Sequence, residues 1–244
     1  MLQNMCTAIL FIIMKYVDAH CHLNVGQTLT QDVDIAITNA AQVSEWQKII
    51  TLAQNNKIWG AIGVHPWYIS NLADGWTENM QCMLAKNPEL MVGEIGLDKN
   101  YPDMQTQIFV FQEQLNIAND MKRIAHVHCV GAWDKILATI SKIQPYAIVF
   151  HAFDASPDII QQLLRYNSYF SFGTAVCNPN RTRVHNALRS MPRNRILSES
   201  DSDNPATVIG VVQKMSEILS VPLADMINTI YNNTVELLKH GQTA

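Results

Sequence analysis

Two histidines separated by one residue, in Asp18-Ala-His20-Cys-His22, place their imidazoles one strand repeat apart. In an extended chain alternate residues share a face, so Asp18, His20 and His22 would point the same way and two imidazoles could chelate one cation. On spacing alone the pair is equally compatible with two incidental histidines. Farther along stand Glu94, His128, His151 and Asp201, each at the edge of an apolar run. A carboxylate amid Val92-Gly-Glu-Ile-Gly-Leu97, or closing Ile196-Leu-Ser198, is costly to bury unless it is paired or binds a cation. The glycines flanking Glu94 allow close approach of backbone and ligands. Mixed imidazole and carboxylate donors suit zinc, manganese or another transition metal, and magnesium is admissible.

These residues need a frame that brings distant positions together. Short apolar runs at 16–21, 33–38, 58–64, 90–95, 124–128, 147–150, 169–172 and 195–198 read as strands. Between them lie helical patterns at 43–54, 104–120, 131–143, 157–166 and 181–190, and the chain ends with two more at 205–219 and 222–239. In 104–120, Ile108, Phe111, Leu115 and Ala118 recur at three- and four-residue steps. Alternating strands and helices predict an α/β fold, a single (β/α)8 barrel of TIM type, regular or distorted, with C-terminal helices. In that barrel His20 and His22 end the first strand, Glu94 the fourth and His128 the fifth, while His151 and Asp201 follow the sixth and eighth. Strand ends of a parallel barrel meet at one mouth, so all six residues converge there.

Several segments then resemble the TatD family of metal-dependent deoxyribonucleases, within the amidohydrolase-like enzymes: Val17-Asp-Ala-His-Cys-His-Leu23, Gly63-Val-His-Pro-Trp67, Gly93-Glu-Ile-Gly-Leu-Asp98, Val127-His-Cys129, His151-Ala-Phe153 and Glu199-Ser-Asp201. They run in the family's order over most of the chain. The resemblance implies two divalent ions (Mg, Mn or Zn), with Glu94 bridging them, His20, His22 and Asp201 on one ion and His128 and His151 on the other. The mechanism that follows is attack of a metal-bound hydroxide on the phosphorus of a phosphodiester, with Asp201 also accepting the proton of the attacking water. Three motifs depart from the family. Relatives commonly carry Ser or Thr and then Gly after His-Cys-Phe, a basic residue in a proline loop after the last aspartate, and an arginine after His-Cys. Here these positions read His151-Ala-Phe-Asp-Ala-Ser156, Asp201-Ser-Asp-Asn-Pro205 and Cys129-Val-Gly-Ala132, which add Asp154 and Asp203 beside the mouth.

Other residues are candidates for substrate contact or support of the ligands. His65 would follow the third strand at the same mouth, to touch a phosphate or leaving group or to order the loop before Pro66. Glu199 and Asp18 would lie beneath the ligands and orient them, Asp18 by holding an imidazole. His126 shares a strand face with His128 and is expected to be a partnered core or supporting histidine rather than a seventh ligand. Arg181 and Arg183 would open a helix near the mouth, placed for phosphate or simply solvated, whereas Arg193 and Arg195 would lie at the opposite face.

Composition limits the partners. Of the 244 residues 48% are hydrophobic and 16% charged, enough for a sizeable core, and the net charge of −4 provides no general field for a polyanion. Bound cations would have to hold it locally. Five cysteines (Cys6, Cys21, Cys82, Cys129, Cys177) at scattered positions argue against a disulfide framework and point to a reducing, cytoplasmic compartment. Residues 1–14 read as an apolar extension, with the effective start near Met14, and 15–244 as the barrel. The extension is too short to span a bilayer, and no stable membrane association is expected. Three functions compete: a deoxyribonuclease acting on a single strand or an end, a hydrolase of a small phosphoester, ester or amide, and a non-catalytic metal-binding interaction protein.

Overall fold

The computed structural model describes residues 15–242. The expectation for segment 1–14, and with it Cys6, falls outside the described residues. Eight runs rich in β-branched and apolar residues form the strands: β1 (Tyr16–Cys21), β2 (Val33–Asn39), β3 (Ile58–Ile62), β4 (Met91–Asp98), β5 (Ile124–Val130), β6 (Ala147–Phe150), β7 (Ser168–Phe172) and β8 (Ile196–Ser198). They pair in parallel in sequence order, with no helix among the described residues between β1 and β2. Helices α1 (Trp46–Leu52), α2 (Trp76–Lys86), α3 (Met104–Asp120), α4 (Trp133–Ile143), α5 (Pro157–Leu163), α6 (Thr182–Ser190), α7 (Val208–Leu219) and α8 (Leu223–Gln242) accompany them. The result is the expected (β/α)8 barrel with its C-terminal helices.

Alternation along the strands sorts the core into two parts. One side chain set, including Val92, Val127, Phe150 and Phe170, packs outward against helix residues such as Ile49, Leu84, Leu115 and Ile136. The other set fills the barrel near the strand starts: Ala19, Ile37, Ala61, Met91, Ile124, Val149, Tyr169 and Leu197, capped by Leu237 and Leu238 of α8. Full burial of each such leucine contributes roughly 1.5–3 kcal/mol. This plug leaves the opposite end of the barrel for polar residues.

The ring closes differently at its last seam. Between β8 and β1 the contacts include Ser198 Oγ donating to Val17 O (2.7 Å), Asp201 N to His20 O (3.0 Å) and His22 N to Ser202 O (2.9 Å). Side-chain and loop hydrogen bonds thus close the barrel where the short β8 runs out, which gives the distorted form.

Three local expectations are corrected. The helix at 76–86 was absent from the sequence reading, because only Met80 and Leu84 of it are fully buried and the rest of its stripe is polar or partly exposed. Strand β4 runs on to Asp98, so Glu94 lies inside it rather than at its end. His128 likewise sits two residues before the end of β5.

Candidate metal centre

Two interruptions of the strand ladder aim the acidic and basic groups. Parallel β4 and β5 pair Val92 with Ala125 but Ile95 with Val127, so β4 carries one extra residue there. Met91 therefore faces the interior plug while Glu94, three residues on, faces the same interior instead of the helices. Glycines make the approach feasible. A Cβ on Gly96, whose φ is +143°, would come within 2.0 Å of His128 O, and one on Gly93 within 2.6 Å of the His126 Cβ.

The same device in β1 changes the reading of Asp18. Asp18 pairs with Ala36 and Cys21 with Thr38, one residue too many on β1, and Ala19 joins the interior plug. Asp18 consequently orients no imidazole. Its Oδ1 accepts from the backbone N–H groups of Ser200 (2.9 Å) and His20 (3.3 Å), tying the β1 ligand strand to the loop that carries Asp201. Burial pushes its carboxyl up to about 8 despite those two donors.

At the mouth, Glu94 is the hub. Its Oε1 lies 2.8 Å from His151 Nε2, 3.1 Å from His128 Nδ1 and 3.3 Å from His65 Nε2. Its Oε2 lies 3.4 Å from His20 Nε2 and 3.6 Å from His22 Nε2. Asp201 Oδ1 completes the second group, 3.5 Å from His22 Nε2 and 3.9 Å from His20 Nε2. Each carboxylate oxygen of Glu94 thus addresses a different set of imidazoles. The six ligands expected from the sequence come together, and His65, expected only as a substrate or loop residue, joins them in a triad with Glu94 and His128.

The electrostatics follow from crowding acid and imidazole in a buried space. Burial opposes the charge on Glu94, but His151, His128 and His20 outweigh it and hold the carboxyl well below its usual range. Burial also opposes a charge on His151, yet Glu94 and Glu199 on either side raise it well above the usual imidazole value. Asp201, partly open to solvent, is drawn down to about 2, its burial outweighed by His22, His151 and His20. Its backbone φ of 50° is uncommon for a residue with a side chain.

Whether these groups fit a cation is answered by their unmet valences. His20 Nε2, which faces Glu94 Oε2, is buried without a hydrogen-bond partner among the described residues, and His128 Nδ1 and His151 Nε2 crowd together 3.0 Å apart against Glu94 Oε1. Imidazole nitrogens crowded against carboxylates, with lone pairs left over, are the donor set of a divalent transition metal or magnesium.

The surrounding residues hold the donors. Glu199, fully buried, takes the Ala152 N–H (2.8 Å) and the Ser171 hydroxyl, and faces His151 Nδ1 at 3.7 Å. Asp98, which the sequence reading left out, is the counterpart for His128, 3.6 Å from its Nε2. The signal was available: Asp98 lies two residues beyond Gly96 and four beyond Glu94, on the same face of β4. Helix α3 positions the loops through two buried glutamines seven residues apart. Gln114 holds Val64 by its N–H (2.7 Å) and carbonyl (3.0 Å), one residue before His65, and Gln107 binds Asp98 N and the carbonyls of Asp98, Tyr101 and Pro102. His65 also accepts the Trp67 N–H (3.2 Å), so it orders its own loop as well as facing the site.

His126 departs from expectation. It is fully buried one layer below His128, and neither ring nitrogen has a partner among the described residues. Of the arginines, Arg181 lines a cavity of about 410 Å³ shared with His128, His151 and Asp154, whereas Arg183 is exposed and lines neither this cavity nor the one over Glu94. Arg195 lies over Tyr169 at the far end (4.9 Å) and donates to Asn167, as the topology required. Glu45, also missed, lines the cavity of about 310 Å³ over Glu94 while accepting the Ala41 N–H (2.7 Å). Asp203 is exposed.

The sequence model of the TatD related DNase family matches residues 17–239. An uncharacterized metal-dependent hydrolase of Mycoplasma genitalium is 27% identical, over 93% of this chain and 100% of its own length. A protein of Enterobacter lignolyticus named 3'-5' ssDNA/RNA exonuclease TatD is 28% identical, over 68% of this chain and 66% of that one. In structure, the TatD homolog YjjV from Escherichia coli superposes with a TM-score of 0.86 at 22% identity, covering 93% of this chain and 98% of that one, which bears on the fold.

Proposed function

The chain belongs to the TatD related DNase family, and we propose that it hydrolyses phosphodiester bonds of single-stranded nucleic acid, DNA foremost, from a strand end, with two divalent ions held by His20, His22, Glu94, His128, His151 and Asp201. The carrying observation is the division of Glu94, with Oε1 toward His128 and His151 and Oε2 toward His20 and His22. One bridging carboxylate between two imidazole sets suits two cations better than one. A name given to a relative, 3'-5' ssDNA/RNA exonuclease, supports the substrate class and the direction of cutting.

Divalent ions held by these residues would supply Lewis acidity to a phosphoryl group and acidify water. The chain's own residues do the rest. Asp201, ionised at neutral pH and partly open to solvent, accepts the proton of the attacking water while its Oδ1 faces His20 and His22. Water oxygen bonds to phosphorus, the ester bond to the departing sugar oxygen breaks, and that oxygen takes up a proton from Asp201 or solvent to leave as a hydroxyl. Glu199 and Asp98 keep His151 and His128 turned toward Glu94, and Arg181 offers its charge to a phosphate in the adjoining cavity. Glu94 is buried at the floor of a cavity of about 310 Å³, which favours a single-stranded end over a duplex.

The test is a panel of end-labelled single- and double-stranded oligonucleotides and small phosphoesters, carboxylic esters and amides, each with Mg²⁺, Mn²⁺ or Zn²⁺. The reading predicts stepwise shortening of single strands from the 3' end. Turnover of small esters or amides alone would favour the second reading, for which Asp154 beside Arg181 and Glu45 over the site are the supporting observations.

A further inference from the structure

Three large aromatic side chains stand in solvent at the rim of the metal cavity. Trp67 is 45% exposed, Tyr68 41% and Tyr101 40%, so each leaves part of an aromatic side chain open to solvent. Trp67 and Tyr68 line the cavity that contains Glu94, His128, His151 and Asp201. Tyr101 comes from a different loop, after β4, and stacks on Trp67 with ring centroids 4.8 Å apart and planes 16° apart.

The arrangement is fixed rather than loose. The Trp67 indole N–H donates to Asp98 Oδ2 (2.8 Å), whose other oxygen accepts the Asn100 N–H (2.8 Å). Gln107 grips the Tyr101 and Pro102 carbonyls from inside the protein. The Trp67 ring stands 4.7 Å from that of His65 and 6.3 Å from that of His128. Asp98 therefore touches both the metal site, through His128, and the aromatic pair, through Trp67.

We propose that Trp67, Tyr101 and Tyr68 form a nucleobase-stacking shelf for the nucleotide next to the scissile phosphate. The inference rests on the nuclease reading above. Stacking on an aromatic face needs no particular base, because every base has a π-face, so the shelf would tolerate any sequence. It also answers a charge problem. The cavity wall carries Glu45, and the chain as a whole is acidic, so phosphate contacts alone would hold a polyanion weakly. An uncharged attraction beside the metals supplies grip that salt does not screen. The strand would continue past His128 and His151 into the second cavity, where Arg181 lies.

The test uses the metal-loaded enzyme and single-stranded oligonucleotides in which each nucleotide near the cut carries its base or is an abasic tetrahydrofuran residue. Wild type, Trp67→Leu, Trp67→Phe and Tyr101→Leu are compared on each. The shelf predicts that Trp67→Leu raises KM on the order of tenfold to a hundredfold on fully based strands. Removing one particular base should cost wild type a similar factor, and the two losses should not add. Trp67→Phe, which keeps a ring but not the indole N–H, should recover most of the loss, and Tyr101→Leu should show the same selectivity for the based strand. Equal losses on based and abasic strands at every position, or no loss at all, would overturn the shelf while leaving the nuclease reading intact. If wild type cuts no oligonucleotide yet hydrolyses small esters, the nuclease reading itself fails and the shelf with it.

Discussion

The two ends of this barrel are built from opposite materials. At the strand starts, Ile37, Met91, Ile124, Val149 and Leu197 pack into an apolar plug beneath Leu237 and Leu238, and several polar groups near it find partners: Asn233 donates to the carbonyls of Arg193 and Ile196, and Asp34 receives Lys15, Lys57 and the Tyr231 hydroxyl. At the mouth, His20 Nε2 is buried without a hydrogen-bond partner among the described residues, and His128 Nδ1 and His151 Nε2 crowd the Glu94 carboxylate. One end spends its residues on stability. The other keeps donors unsatisfied so that a cation can take them, which is where function in such barrels resides.

Mutations at the two ends should therefore fail in different ways. The largest effect is expected from Asp201→Asn, which keeps an oxygen for the metal but removes the proton acceptor; kcat should fall roughly 10²- to 10⁴-fold with metal content preserved, and full activity would remove Asp201 from its role. At the plug, Leu237→Ala should cost about 2–5 kcal/mol in denaturant unfolding, with kcat per folded molecule unchanged. A large loss of kcat in that variant would mean that the two ends are not separable.

Smaller effects sharpen the contrast. Glu199→Gln should weaken metal binding about 10- to 100-fold, measured by chelator competition, and saturating metal should restore most of the turnover. Asp34→Asn should cost under about 1 kcal/mol, because its lysine partners are half exposed. Lys57 and Lys15 outweigh the small burial effect and hold Asp34 below its ordinary value of 3.8. A depressed folded-state value means that this contribution is present above about pH 4 and fades as pH falls through the folded value. The stability gap between wild type and Asp34→Asn should close in acid, and a gap that widened there would contradict the pairing.

Residue type and parity carried much of the mouth, and their failures are local. His151 and Asp201 were placed correctly because they follow strands, where topology alone decides. Glu94 reads as a strand end because the apolar run pauses at Ile95 while β4 runs on to Asp98, and Asp18 reads as lying beneath the histidines because period-two reasoning assumes an unbroken ladder. An extra residue in β4 and another in β1 reverse the parity, and a bulge leaves no mark in composition. Asp98 sat in a motif already noted and needed only the parity count from Glu94. Trp67 and Tyr101 could not be paired from sequence, since their stacking depends on two loops meeting across the mouth. Helix α2 escaped because its buried stripe is two residues wide.

If Glu94 joins two cations, counting the bound metal shows it most directly. Isothermal titration of metal-stripped protein with Mn²⁺, checked by elemental analysis, should give two ions per wild-type chain, and Glu94→Gln should hold no more than one and lose turnover. A single ion in the wild type, or two tightly held ions in Glu94→Gln, would contradict the account.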